Sequence, residues 1–130
     1  MLLTREGLER FHEELVGFGY QPAFEGSRKQ FRSTEGNIRV EIVTTGEYPG
    51  DGLPKPVKFP DPADVRLKID GMKTITLEKL IELKLASGIS APHRLKDLAD
   101  VQELIKVKHL DARFADKLDA SVREKYIELY

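Results

Sequence analysis

Five of the chain's seven prolines fall between Gly46 and Pro62, and this stretch constrains the fold more than any other. Proline lacks a backbone N–H and holds φ fixed, so it breaks helix interiors and central strands alike. With Gly50 and Gly52 beside them, these prolines predict a long connection without regular structure. Such connections are uncommon in compact domains and are often functional or disordered. Two readings stay open: a stiff, proline-braced surface loop, or a lid or wall over a site. In either case the stretch separates an N-terminal part of helix and strands from a C-terminal part of hairpin and helices.

Ahead of the proline stretch, Thr4 is suited to cap a helix, with Glu6 in the first turn where the dipole favours an anion. Leu8, Phe11, Leu15 and Phe18 follow at helical spacing, and Gly17, Gly19 and Pro22 stop the helix. Met1-Leu2-Leu3 then reads as the tail of a strand. Residues Gln30 to Ser33 and Asn37 to Val43 read as strands joined by Thr34-Glu35-Gly36. Alternation sends Ile38, Val40 and Ile42 to the core face and Arg39, Glu41 and Val43 to the other.

Beyond it, Val65 to Ile69 and Met72 to Ile75 flank Asp70-Gly71, a hairpin turn pair. Thr76 caps a helix from Leu77 to Ala86 that ends at Ser87-Gly88. Ser90 and Pro92 open a second helix, His93 to Lys106, and Asp111 to Leu118 and Ser121 to Tyr130 read as two short ones. The order predicts an α+β fold: a small mixed β-sheet with an N-terminal helix and C-terminal helices, in one domain spanning residues 1–130.

Composition removes several function classes. There is no cysteine, hence no disulfide framework, thiol nucleophile or cysteine-ligated zinc. A net charge of −1 lacks the basic excess of a non-specific nucleic-acid binder. No apolar run approaches the roughly 20 residues of a membrane span, and a cytoplasmic protein is expected. His12, His93 and His109 share no metal-ligand spacing, and no phosphate-binding glycine loop or serine elbow is present.

Two features point toward chemistry. Leu77, Leu80, Ile81 and Leu85 form an apolar helix face, and Lys84 projects from its middle. Such a lysine snorkels to water, pairs with an anion, or meets a ligand. Arg94, Lys96 and Asp97 crowd the first turns of the next helix, whose buried stripe is read as Leu95, Leu98, Val101 and Ile105. Cations at a helix start oppose the dipole, so they read either as a solvated charged face or as helpers of N–H groups that receive a phosphate.

The stretch from Ile75 to Ser87, followed by Arg94 to Val101, resembles the tail of nucleotidyltransferase-fold proteins, in particular small bacterial ones related to abortive-infection-type toxins. Leu3 to Phe11, Gly17 to Pro22 and Gly46 to Gly52 share the resemblance. It implies a partial nucleotidyltransferase fold acting on a nucleoside triphosphate with Mg²⁺. It also implies Glu41 as a metal-binding third carboxylate, Lys84 as a phosphate-contacting lysine, Asp97 in the later motif, and Arg94 and Lys96 near the nucleotide. The family's glycine turn and carboxylate pair would precede the first helix, where this chain has only Met1-Leu2-Leu3. The expectation is therefore a weak or inactive nucleotidyltransferase-like domain. The alternative is a non-catalytic module that binds nucleotide, or that pairs with itself or a second polypeptide.

Overall fold

A computed structural model describes residues Met1–Tyr130. The first helix, α1 (Arg5–Glu14), starts where Thr4 is extended and its Oγ1 accepts the Gly7 N–H at 3.0 Å. The helix buries Leu8 and Phe11 against Phe31 and Ile42 in a small N-terminal core. It is shorter than its apolar spacing predicts: Leu15 and Phe18 lie beyond it and are exposed. Gly17 and Gly19 both take positive φ, so the chain reverses there and enters β2 (Tyr20–Pro22), a strand the sequence pattern did not disclose.

Strand β2 pairs antiparallel with β3 (Gln30–Ser33), which pairs antiparallel with β4 (Arg39–Glu41). After Ile42, which is buried and donates its N–H to the Lys29 carbonyl at 2.8 Å, the chain continues as β5 (Val43–Thr44). Strand β1 (Leu2–Leu3) lies parallel to β5, with Leu2 opposite Val43 and Leu3 opposite Thr44. The inward side of this ribbon is Val40 and Ile42. Ile38, expected there too, is exposed because the ladder starts one residue later, after Asn37 at φ 51.

The proline stretch has no helix or strand until α2 (Pro62–Val65), capped by Asp61, yet it is held in place. Gly46 and Phe59 bond at its base (Gly46 N to Phe59 O, 2.8 Å), and the Lys55 ammonium donates to the carbonyls of Pro49 and Leu53, both at 2.8 Å. Val57 reaches the C-terminal core. Gly50, at φ 74, sits so close to the following helix that a Cβ there would lie 2.7 Å from the Ser87 carbonyl oxygen.

Strands β6 (Arg66–Ile69) and β7 (Met72–Ile75) form a hairpin through Asp70 and Gly71, both at positive φ as that turn demands. Helix α3 (Leu77–Ser90), capped by Thr76, runs past the expected stop at Ser87-Gly88. Gly88 is inside the helix because the Leu98 side chain packs where its Cβ would be, 2.4 Å away; packing there outweighs glycine's poor helix propensity. A 3₁₀ turn at Pro92–Arg94 precedes α4 (Leu95–Val107), and a second at Ala112–Lys117 precedes α5 (Ala120–Leu129). Ile81, Leu85, Val101, Val122 and Tyr126 centre the main core. Leu95, read as part of the buried stripe, is exposed as the first residue of α4, while Val101 and Ile105 of the stripe are buried. The class is α+β, as the element order predicts, but the strands form three small sheets, β1–β5, β2–β3–β4 and β6–β7, in place of the single mixed sheet expected, because each pairing involves only short strands. No helix is long and apolar enough to cross a membrane.

Candidate functional site

A cleft of about 980 Å³ opens between the β1–β5 ladder, the proline stretch, the base of the β6–β7 hairpin and α3. That volume is at the upper end of ordinary small-molecule sites. Leu3, Val43, Phe59 and Leu80 give it apolar walls, and Tyr48, Pro49 and Gly50 of the proline stretch form one side. The stretch is therefore both of the things its composition allowed: braced, and a wall of the cavity.

Helices α3 and α4 bring a polar cluster to one end of the cleft. Asp97 is buried, and it accepts from Ser87 Oγ at 2.6 Å, Arg94 Nε at 2.8 Å and Lys84 Nζ at 3.2 Å. Lys84 also donates to Asp100 at 2.9 Å. The lysine on an apolar helix face thus has its anions, both from the neighbouring helix. The close α3–α4 approach at Gly88 is what places them within reach.

This arrangement fixes the charge states. Burial pushes the Asp97 carboxyl up, but the Ser87, Arg94 and Lys84 bonds together outweigh it and hold it below the ordinary aspartate range. Asp100 is held low chiefly by its bond to Lys84. Burial pulls Lys84 down, and the bonds and charges of Asp100 and Asp97 more than reverse this, so the ammonium is held above its ordinary range. At neutral pH the cluster is fully ionised.

Of the residues singled out in the sequence, Glu41, Lys84, Arg94 and Asp97 line this one cleft. Lys96 does not. It projects into solvent, with 86% of its side chain exposed, and reaches only Asp100, at 3.4 Å. In the sequence Ser87 reads as the end of a helix, and Arg66 and Lys73 carry no signal beyond their charge; all three line the cavity. The signal that could have found the last two is alternation: Arg66 and Lys68 fall on one face of the hairpin, and the turn at Asp70-Gly71 returns Lys73 to it.

The resemblance implies Mg²⁺, and the donor set can be tested against it. Mg²⁺ wants carboxylate oxygens that are free to coordinate. Asp97 spends its oxygens on three protein donors, which leaves Glu41 as the one cleft carboxylate without a side-chain partner. No three His, Cys, Asp or Glu residues stand together as a metal group. By themselves, the residues of this chain do not fit a two-metal centre. The cleft instead carries four cationic side chains, Arg66, Lys73, Lys84 and Arg94, against two carboxylates, Glu41 and Asp97.

Comparison with protein-family models, curated proteins and solved structures finds no match to this chain.

Proposed function

We propose that this chain is a nucleotidyltransferase-like domain that binds a nucleoside triphosphate in the cleft and transfers its nucleotidyl group weakly or not at all. The observation that carries the reading is the gathering of Lys84, Arg94 and two further cations around one cavity of nucleotide size. Arg94 spends only its Nε within the protein, so its outer amino groups remain for a phosphate, a geometry guanidinium suits. Weak transfer follows from the donor set: with one free carboxylate, the cleft lacks the ligands for the pair of metal ions that would activate the attacking oxygen and stabilise the leaving one.

Binding of the four nucleoside triphosphates by isothermal titration calorimetry, beside transfer of an α-phosphate label, tests both halves. The reading expects measurable binding and no label transfer above a protein-free blank. Arg94→Lys should weaken binding while leaving the melting temperature unchanged, since lysine can still pair with Asp97. Lys84→Ala is a poorer probe, because it strips Asp97 and Asp100 of a shared cation and so affects fold and site together. No binding by the wild-type chain removes the proposal. Label transfer that Glu41→Ala abolishes removes its inactivity half.

A second reading, a module that associates with a copy of itself, is favoured by a different observation. Leu67, Ile69 and Met72 are exposed on one face of the hairpin, and exposed apolar faces on strands invite pairing. Light scattering over a range of concentrations decides it: a mass that stays at 14.8 kDa excludes that reading.

A further inference from the structure

The hairpin carries an arrangement that folding does not explain. Its register sets Arg66 opposite Ile75 and Lys68 opposite Lys73, so one face holds three cations beside a single apolar residue. Like charges directly opposite on a strand pair are destabilising, and a two-stranded hairpin standing alone is marginal to begin with. None of the chain's ion pairs relieves these cations: Arg66, Lys68 and Lys73 take part in none of them. All three are exposed, so no burial compensates. The other two cleft cations, Lys84 and Arg94, are both neutralised by aspartates. Among the cationic side chains that line the cleft, those without an anionic partner are therefore the two of the hairpin, on the face whose Arg66, Lys73 and Ile75 line it.

A local arrangement that opposes folding, with no internal compensation, is what a binding site leaves in a sequence. We propose that the basic face of the β6–β7 hairpin is the phosphate-chain subsite of the cleft, with Arg66 and Lys73 holding the terminal phosphates of the nucleotide and Lys68 extending the field outward. This deepens the nucleotide-binding reading and rests on it. It names the polyphosphate, rather than the base, as what the cleft selects. An anion seated there removes the repulsion between Lys68 and Lys73, so binding and ordering of the hairpin are coupled. Because these cations have no internal partners, removing them costs the fold little, and site and scaffold separate cleanly.

The test compares adenosine monophosphate, adenosine triphosphate and inorganic tripolyphosphate by calorimetry on the full chain, wild type and Arg66→Ala/Lys73→Ala. The wild type is expected to prefer the triphosphate over the monophosphate by at least tenfold and to bind tripolyphosphate. The double variant should lose most of that preference and its tripolyphosphate binding, keep its monophosphate affinity, and melt at the wild-type temperature. Lys68→Ala should lower triphosphate affinity less, because Lys68 lies outside the cleft lining. Wild-type preference for triphosphate that survives in the double variant overturns the subsite and leaves nucleotide binding standing. No binding of any of the three ligands by the wild type overturns both. A double variant that loses all three ligands equally also overturns the subsite, since the cations would then not discriminate phosphate number.

Discussion

Replacing Asp97 with alanine isolates the most consequential contact in the molecule. The carboxylate takes three donors, from Ser87, Arg94 and Lys84, on two helices, and only 8% of its side chain is exposed. Deleting one partner of a buried charged group costs about 3–5 kcal/mol when the remaining partners stay buried. Here the penalty is softened. Lys84 keeps Asp100, and the Lys84 and Arg94 side chains stay 25% and 45% exposed, so both reach water. The expected loss is about 2–3 kcal/mol, which for a domain of this size lowers the melting temperature by roughly 10 °C. Urea unfolding followed by circular dichroism reads it as a lower midpoint at unchanged slope, the mark of a stability change in an intact fold. Asp97→Asn should lose about half as much, because its amide oxygen still accepts from Ser87 or Arg94. A double-mutant cycle with Ser87→Ala measures the 2.6 Å bond separately. If Asp97→Ala melts within about 2 °C of wild type, the three bonds do not tie α3 to α4 and the account of Lys84 fails with them.

Further expectations follow from the same geometry. Asp97 and Asp100 titrate below their ordinary range, so their stabilisation is complete above pH about 4 and fades as pH falls through their lower folded-state values. Urea midpoints of wild type and Asp97→Asn should therefore converge in acid, and a constant gap down to acid pH would contradict the assignment. Lys84 titrates above its ordinary range; its contribution is complete below pH about 10.4 and fades only as pH rises through its higher folded-state value, so wild-type stability should show no lysine-linked loss near neutrality. Glu82 is buried, pairs with Lys79, and accepts the Asp119 N–H at 2.7 Å. Glu82→Ala should cost about 2–3 kcal/mol and raise hydrogen exchange first in α5, whereas uniform exchange across the chain would deny Glu82 that anchoring role. Gly50→Ala places a methyl 2.1 Å from Ser90 Oγ at φ 74; it should free the proline stretch from α3, seen as new protease cleavage between residues 46 and 62, and resistance there would mean the stretch is held by other contacts.

How legible this was in the sequence varies with the kind of interaction involved. The caps at Thr4 and Thr76, the Asp70-Gly71 turn and the β3 strand are local patterns, and each stands where its residues predicted. The errors arose where distant contacts decide. Ser87-Gly88 reads as a helix stop until Leu98 of another helix needs the space above Gly88. Gly17, Gly19 and Pro22 read only as a helix stop, and the strand Tyr20–Pro22 that follows the glycines shows itself only when β3 offers it a partner. Lys84 on an apolar face was visible as an anomaly, but its two aspartates belong to the following helix and only the crossing of α3 and α4 reveals them. Lys96 shares the charged first turns with Arg94, yet a rotation of about 100° per residue along the helix carries it to solvent. The cations of the hairpin are legible as strand alternation, but their place at a cleft is not, because the sequence does not show which elements close around it.

The central claim is that a nucleoside triphosphate occupies the cleft between α3, the proline stretch and the hairpin. Amide chemical shifts of the ¹⁵N-labelled chain, recorded while adenosine triphosphate is added, test it most directly. The account predicts saturable shifts clustered at Tyr48–Gly50, Arg66, Lys73, Lys84, Ser87 and Arg94, with α5 unmoved. Shifts concentrated elsewhere, or none at saturating nucleotide, would contradict it.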